Sequence, residues 1–179
     1  LIVHADKDSK HIAGENWHSD VSCDEEPPMG SILHLWQVPE NGGDTLFSSM
    51  YAAYDALSDQ MKIYLEKLTA THSGEQIYRG RYKNDDANMV YPKSIHPVIR
   101  THPITGRKSL YVNKTFTTVI NELPPEESDG ILTFLYDHTA KPDYQVRFKW
   151  QPDSIAFWDN RCVQHLALWD YYPQVRSGY

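Results

Sequence analysis

The sequence has few cysteines, no long apolar run and no excess of positive charge, and each absence excludes a class of protein. Its two cysteines, Cys23 and Cys162, are too few for a disulfide framework, so we expect reduced thiols and a cytoplasmic location. No apolar run approaches the roughly 20 residues of a membrane-spanning helix. A formal net charge of −7 disfavours nucleic acids and anionic membranes as partners.

The sequence also lacks internal repeats, low-complexity tracts and a glycine-rich phosphate loop. Its length of 179 residues, with 40% hydrophobic and 23% charged residues, predicts a single globular domain over 1–179. The chain opens on an apolar triplet and stops within a predicted strand at Arg176–Tyr179. We therefore expect the domain to be incomplete at both ends, as a fragment of a longer protein.

Short β-rich runs outnumber the helical segments. The helical pattern covers 48–70 in two segments, with Ser48 or Ser49 capping the first and Ser58 the second, and returns at 124–141. Strands are predicted at 30–38, 144–150, 154–158 and 162–168, with a hairpin at 96–113. This order predicts a mainly β fold, a β-sandwich or jelly roll with helices packed on one side.

One long polar segment separates the predicted helices from the hairpin. Residues 73–94 are rich in Tyr and Arg and show no hydrophobic period. Such a connection in a compact domain is typical of a lid or a substrate-binding loop, and a plain linker is the alternative.

A histidine and an aspartate two residues apart form the first candidate site. If 16–22 is extended, His18 and Asp20 point to the same side of the strand, because side chains alternate with a period of two. This pair supplies two of the three ligands of a two-histidine, one-carboxylate metal site. By itself such a pair is more often a solvated strand end than a metal site, so a third ligand is needed.

The remaining histidines differ in their surroundings. His4 and His11 lie in a loop-like N-terminus, and His72 follows a predicted helix. His165 lies in the middle of a predicted strand, with Arg176 eleven residues later in the printed sequence. His34 lies in an apolar predicted strand, and His138 lies in the last turn of a predicted helix. His96 and His102 each precede a proline at an end of the predicted hairpin.

Several longer motifs carry a family resemblance. The segments NWHSD, ENGGDTLF, HPVIRTHPITGRKSLYVN, QVRFKWQPDSIAFWDNRCVQH and DYYPQVR occur in this order and together closely resemble the taurine dioxygenase family. The resemblance runs from about residue 14 to the last residue. It implies a jelly-roll enzyme that uses Fe(II), 2-oxoglutarate and O2.

The resemblance assigns expected roles by position. It places the iron ligands at His18, Asp20 and His165, and the residues that bind 2-oxoglutarate at Thr45 and Arg176. Candidate substrate-binding residues are Val21 and Phe116, for which core packing is the alternative role. The sequence departs from the family at Gly14, where the taurine enzymes have a substrate-binding asparagine, and at Cys23, where they have a phenylalanine.

The resemblance implies hydroxylation of a small anionic substrate, a sulfonate such as taurine or an alkyl sulfate ester, with release of sulfite or sulfate, succinate and CO2. A phenoxyalkanoate or another carboxylate is the alternative within the family. Outside the family, the alternatives are a zinc hydrolase that uses the same three ligands and a non-catalytic ligand-binding jelly roll. Family members are often dimers or tetramers, so a homo-oligomer is a further expectation.

Overall fold

A computed structural model of the chain describes residues 2–80 and 89–179. The strands in these ranges are Val3–Ala5 (β1), Gly30–Gln37 (β2), Thr45–Ser49 (β3), Thr69–Ser73 (β4), Lys93–Pro97 (β5), Ile99–Thr101 (β6), Lys108–Leu110 (β7), Thr117–Ile120 (β8), Gln145–Phe148 (β9), Ser154–Asp159 (β10), Val163–Ala167 (β11) and Arg176–Gly178 (β12). The helices are Met50–Asp55 (α1), Asp59–Leu65 (α2), Glu75–Tyr78 (α3) and Pro125–Thr139 (α4), with a 3₁₀-helix at Pro142–Tyr144. None of these helices is long and apolar enough to cross a membrane.

Two antiparallel sheets pack face to face and enclose one apolar core. The first has the strand order β1-β12-β2-β10, and the second has the order β11-β3-β9. Leu35 and Trp158 of the first sheet contact Phe47 and Phe148 of the second, and the rings of Phe47 and Trp158 lie 5.3 Å apart. This arrangement confirms the predicted jelly-roll core.

The helices α1, α2 and α4 form a second apolar core with the two smaller sheets, β5-β4-β8 and β6-β7. The side chains of Ser49 and Ser58 accept hydrogen bonds from backbone N–H groups in the first turns of α1 and α2, as predicted. The hairpin is also confirmed, because β6 pairs with β7. Leu135 of α4 is completely buried in this core.

The structure corrects the predictions for 48–70 and for the N-terminus. The predicted helix over 48–70 ends early, and Thr69–Ser73 is a buried strand, so His72 lies in β4 rather than after a helix. The strand escaped prediction because it carries polar side chains that are satisfied by hydrogen bonds, such as Thr71 Oγ1 to Asn121 Oδ1 at 2.7 Å. The N-terminus was predicted to be loop-like, but β1 pairs with β12.

The polar segment 73–94 is only partly described. It contains the end of β4, the one-turn helix α3 and the start of β5. Residues 81–88 lie outside the described residues, and the prediction that this segment is a lid falls largely on them.

Candidate metal centre

His18 and His165 are held side by side by their own backbones. His18 forms an isolated antiparallel bridge with His165 in β11, and the two residues exchange backbone hydrogen bonds of 3.1 and 2.8 Å. Their rings lie 4.0 Å apart, and both residues are buried. A short piece of sheet therefore places the two imidazoles side by side.

Asp20 reaches the same point by a different route from the one predicted. Residues 16–22 do not form a strand, since only His18 is bridged and the chain turns at 20–23. Val21 has a φ of 49°, which is strained for a β-branched residue. This turn places Asp20 Oδ1 3.3 Å from His18 Nε2 and 3.6 Å from His165 Nε2. The extended geometry was wrong, but the two side chains do meet.

The donor set fits a divalent metal ion. His18 Nδ1 lies 2.8 Å from the carbonyl oxygen of Asn16 and donates to it, so the lone pair of Nε2 faces Asp20. His165 Nδ1 is buried and has no hydrogen-bond partner among the described residues, so the acceptor nitrogen is free to be Nε2. The three ligand atoms lie close enough together to contact one ion. Two imidazoles and a carboxylate are the ligands of non-haem Fe(II) sites with open positions.

The electrostatics favour an ionised carboxylate at Asp20 and a neutral imidazole at His165. Burial alone would raise the pKa of Asp20, but His18, His165 and the hydroxyl of Ser31 outweigh burial and hold that pKa well below its usual value. Burial lowers the pKa of His165, and the neighbouring His18 lowers it further. These are the protonation states that metal ligation requires.

Arg176 and Thr45 form a polar pair beside the three ligands. Arg176 is only 2% exposed, donates from Nε to the carbonyl of Gly43 at 3.0 Å and from Nη2 to Thr45 Oγ1 at 3.3 Å. Burial lowers the pKa of its guanidinium. Among the described residues no carboxylate lies within ion-pairing distance of Arg176. A buried cation without a carboxylate partner has the chemistry to bind a small anion.

The loop before Thr45 requires its two glycines. Gly42 and Gly43 have φ values of 80° and 70°, and a Cβ at Gly42 would lie 2.5 Å from Asp170 Oδ1. The same oxygen accepts a hydrogen bond of 2.7 Å from the Gly43 N–H. The close approach aims the Gly43 carbonyl at Arg176.

One cavity of about 320 Å³ is lined by the three candidate metal ligands and by Arg176 and Thr45. His18, Asp20, His165, Thr45, Arg176 and Val21 all line it, together with Gly14. Phe116 is buried with its ring 6.3 Å from that of Tyr78, and it is not among the described residues that line the cavity. Cys23 is completely buried and is likewise not among them.

Sequence reasoning missed the residues that support Asp20. Ser31 donates to Asp20 Oδ2 at 2.6 Å, and Asn160 donates to Ser31 at 2.9 Å. Ser31 is the second residue of β2, and Asn160 directly follows β10. The only signal for Asn160 was its place in the motif FWDNR, five residues before His165 in the printed sequence.

A second group of metal-ligand side chains has a different character. His102, Asp159 and Cys162 lie close together. However, Arg161 donates to both oxygens of Asp159, at 2.8 and 2.6 Å. His102 Nδ1 accepts two backbone N–H groups, so its Nε2 carries the proton that is donated to Asp159. This group is an internal ion-pair network.

The fold and these side chains define a jelly-roll protein with a candidate metal centre beside a buried arginine. The family model described as taurine catabolism dioxygenase TauD, TfdA family, matches residues 2–178. The chain belongs to this family.

Individual relatives agree with this assignment. A Schizosaccharomyces pombe protein with the provisional name alpha-ketoglutarate-dependent sulfonate dioxygenase is 45% identical over 173 residues, which cover 96% of this chain and 44% of that protein. A Saccharomyces cerevisiae alpha-ketoglutarate-dependent sulfonate dioxygenase is 38% identical over 157 residues, which cover 87% of this chain and 38% of that protein. The chain thus spans less than half the length of these relatives.

A solved structure gives the same picture of the fold. The structure described as AAD-2 in complex with Mn(II) and N-oxalylglycine superimposes with a TM-score of 0.81 at 29% identity, covering 92% of this chain and 63% of that one.

Proposed function

We propose that the protein to which this chain belongs is an Fe(II)- and 2-oxoglutarate-dependent dioxygenase of small organic sulfonates or sulfate esters. The observation that carries the proposal is that His18, Asp20 and His165 open into the same cavity as the buried pair Arg176 and Thr45. A metal that binds an α-keto acid needs three fixed ligands, free positions and a separate partner for the distal carboxylate. This cavity offers the ligands and the partner.

Each residue has one task in this proposal. His18, Asp20 and His165 hold Fe(II), and the bound iron with O2 supplies the oxidising chemistry. Arg176 and Thr45 bind the distal carboxylate of 2-oxoglutarate, the guanidinium with its charge and planar fork and the hydroxyl with a hydrogen bond. Both of these side chains are 2% exposed, so water competes weakly for the carboxylate.

The reaction is balanced with one co-substrate molecule per turnover. One oxygen atom of O2 enters succinate as 2-oxoglutarate loses CO2, and the other becomes a hydroxyl group on the substrate carbon. When that carbon carries a sulfonate or sulfate ester, the hydroxylated product breaks the C–S or C–O bond. The products are then an aldehyde and sulfite or sulfate.

The cavity wall supports a substrate with an alkyl segment. Val21, Ile32, Leu33 and Ala167 line it, and Arg176 is the one cationic side chain among its described residues. Gly14 also lines the cavity, in the position that the taurine enzymes give to an asparagine. An alkyl sulfonate or alkyl sulfate matches this wall, whereas a phenoxyalkanoate is the alternative within the family.

The observations disfavour a zinc hydrolase with the same ligands. A hydrolase needs a general base beside the metal-bound water, and Asp20 is the one carboxylate among the described cavity residues. A hydrolase also has no use for a buried arginine with a threonine hydroxyl against it.

The test is turnover by the full-length protein. Fe(II), ascorbate and carboxyl-labelled 2-oxoglutarate are incubated with alkyl sulfonates, alkyl sulfates and aryloxy acids, and labelled CO2 is measured. We expect sulfonates or sulfates to stimulate release. Stimulation by aryloxy acids alone would shift the substrate class, and hydrolysis supported by zinc without 2-oxoglutarate would contradict the proposal.

A further inference from the structure

The carboxylate of Asp20 is the first link of a hydrogen-bonded chain that runs out of the cavity. Asp20 Oδ1 faces the two imidazole Nε2 atoms, whereas Oδ2 accepts a hydrogen bond of 2.6 Å from Ser31 Oγ. Ser31 Oγ in turn lies 2.9 Å from Asn160 Nδ2. Asn160 is 1% exposed, so its amide exchanges no hydrogen bonds with bulk water.

The donors that contact Asn160 fix the direction of each hydrogen bond between Asn160, Ser31 and Asp20. Asn160 Oδ1 receives the indole N–H of Trp158 at 2.9 Å and, at the longer distance of 3.4 Å, the backbone N–H of Asp20. Both groups can only donate, so the oxygen of the amide must face them and the NH₂ must face Ser31. The Ser31 oxygen therefore accepts from Asn160, and its single proton is left for Asp20 Oδ2.

Asn160 also holds the backbone around the ligand. Its carbonyl oxygen accepts a hydrogen bond from Ser19 Oγ at 2.5 Å, and its N–H donates to the carbonyl of Met29 at 2.9 Å. Through its side chain and its peptide groups, Asn160 thus connects the end of β10 to the turn that carries Asp20 and to the loop before β2.

We infer that Asn160 is a positioning residue that, through Ser31, holds Asp20 as a one-oxygen metal ligand. The inference rests on the proposed function only in requiring a metal at His18, Asp20 and His165. A carboxylate that bound through both oxygens would occupy one more position of the metal and leave fewer for an α-keto acid. Because Oδ2 is engaged by a charge-assisted hydrogen bond, Oδ1 alone is presented.

The test is metal binding by the full-length protein, with Ser31→Ala and Asn160→Asp as the main variants. Asn160→Asp keeps the shape and the acceptor for Trp158 but cannot donate to Ser31. Affinity for Mn(II) and the absorption spectrum of the Co(II)-loaded protein are measured. We expect both variants to bind Mn(II) 10–100-fold more weakly, the range of outer hydrogen-bond partners, and to show an altered Co(II) spectrum.

Conservative and remote variants separate positioning from general loss of structure. Ser31→Thr keeps the hydroxyl and should keep wild-type affinity. Asn121→Ala and Ser154→Ala are controls outside the cavity, each removing a polar side chain with hydrogen bonds of its own, and should bind like wild type.

The outcomes are distinguishable from failure of the proposed function. If the wild-type protein binds neither Mn(II) nor Co(II), the metal centre itself is wrong. If the wild type binds and the Ser31→Ala and Asn160→Asp variants bind equally well with unchanged spectra, the positioning role is overturned. A loss of the same size in the control variants would overturn it as well.

Discussion

The backbones of His18 and His165 exchange two hydrogen bonds of 3.1 and 2.8 Å, although the residues belong to opposite ends of the chain. Because the two residues are far apart in the sequence, the bridge forms only when the sandwich is folded. It fixes the relative position of both imidazoles before any metal binds, and such preorganisation lowers the cost of binding.

Loss of a single ligand should abolish tight metal binding. In the full-length protein, His165→Ala and Asp20→Ala should each weaken Mn(II) binding on the order of 100-fold or more, because two ligands do not enclose an ion. Titration monitored by the signal of free Mn(II) measures this. His34→Ala is the control, since His34 is not among the described cavity residues. Unchanged affinity in His165→Ala would place the metal elsewhere.

Arg176 should govern co-substrate affinity. Arg176→Lys keeps a positive charge but loses the fork that spans Gly43 and Thr45. We expect 2-oxoglutarate to bind roughly 10–100-fold more weakly, which corresponds to hydrogen bonds from a charged group. Thr45→Val should give a smaller loss in the same direction.

Titration of the Mn(II)-loaded protein with 2-oxoglutarate checks both variants. Arg107→Gln serves as the control, because Arg107 pairs with Asp55 at the surface. Equal 2-oxoglutarate affinity in wild type and Arg176→Lys would remove Arg176 from the co-substrate site.

Two features should require glycine at position 14: its left-handed backbone conformation and the lack of room for a side chain beside His18. Gly14 has a φ of 81°, and a Cβ there would lie 3.1 Å from His18 Cε1. Gly106 has a similar φ of 69° with nothing within 4 Å. Gly14→Ala and Gly106→Ala should therefore both lose about 1–2 kcal/mol of stability from the left-handed backbone.

The contact at His18 separates these two variants. Gly14→Ala should also weaken Mn(II) binding, whereas Gly106→Ala should bind as wild type does. Denaturant unfolding and Mn(II) titration measure the two effects. Equal Mn(II) affinity of the two variants would show that the contact between position 14 and His18 does not affect metal binding.

The buried His72 should make the protein sensitive to acid. Burial, reinforced by the nearby His96, lowers the pKa of His72 from 6.5 to about 3. The unfolded chain therefore takes up this proton at a higher pH than the native state does. Stability is complete above pH 6.5 and falls as the pH drops toward 3.

His72→Gln isolates this contribution. Between pH 7.5 and pH 5.0, the wild type should lose about 2 kcal/mol more unfolding free energy than the variant does. Urea unfolding at the two pH values measures it, with the exposed His11→Gln as the control. An equal fall in wild type and His72→Gln would show that His72 is not the group responsible.

The features that were predicted correctly are those whose sequence signals are local. The helix caps at Ser49 and Ser58 and the hairpin around 103–107 are local in sequence, and the structure has them where they were predicted. The family motifs indicated His18, Asp20, His165, Thr45 and Arg176, and the structure brings these five residues to one cavity. Their roles stay predictions, as do the oligomeric state and the role of Phe116.

What escaped prediction depends on contacts between distant segments. The strand β4 is polar and becomes visible only through its partners β5 and β8. The turn at Val21 breaks the alternation of side chains that an extended strand would have. Nothing in the sequence predicts its φ of 49°, because a valine rarely adopts a positive φ. Ser31 and Asn160 are ordinary polar residues until folding places them against Asp20.

The most direct measurement is the stoichiometry of products from the full-length protein. With Fe(II), O2, 2-oxoglutarate and the best sulfonate or sulfate ester, succinate and sulfite or sulfate are quantified in the same reaction. We expect equal amounts of both, with neither formed by His165→Ala. Release of sulfite or sulfate without 2-oxoglutarate, or its survival in His165→Ala, would contradict the account.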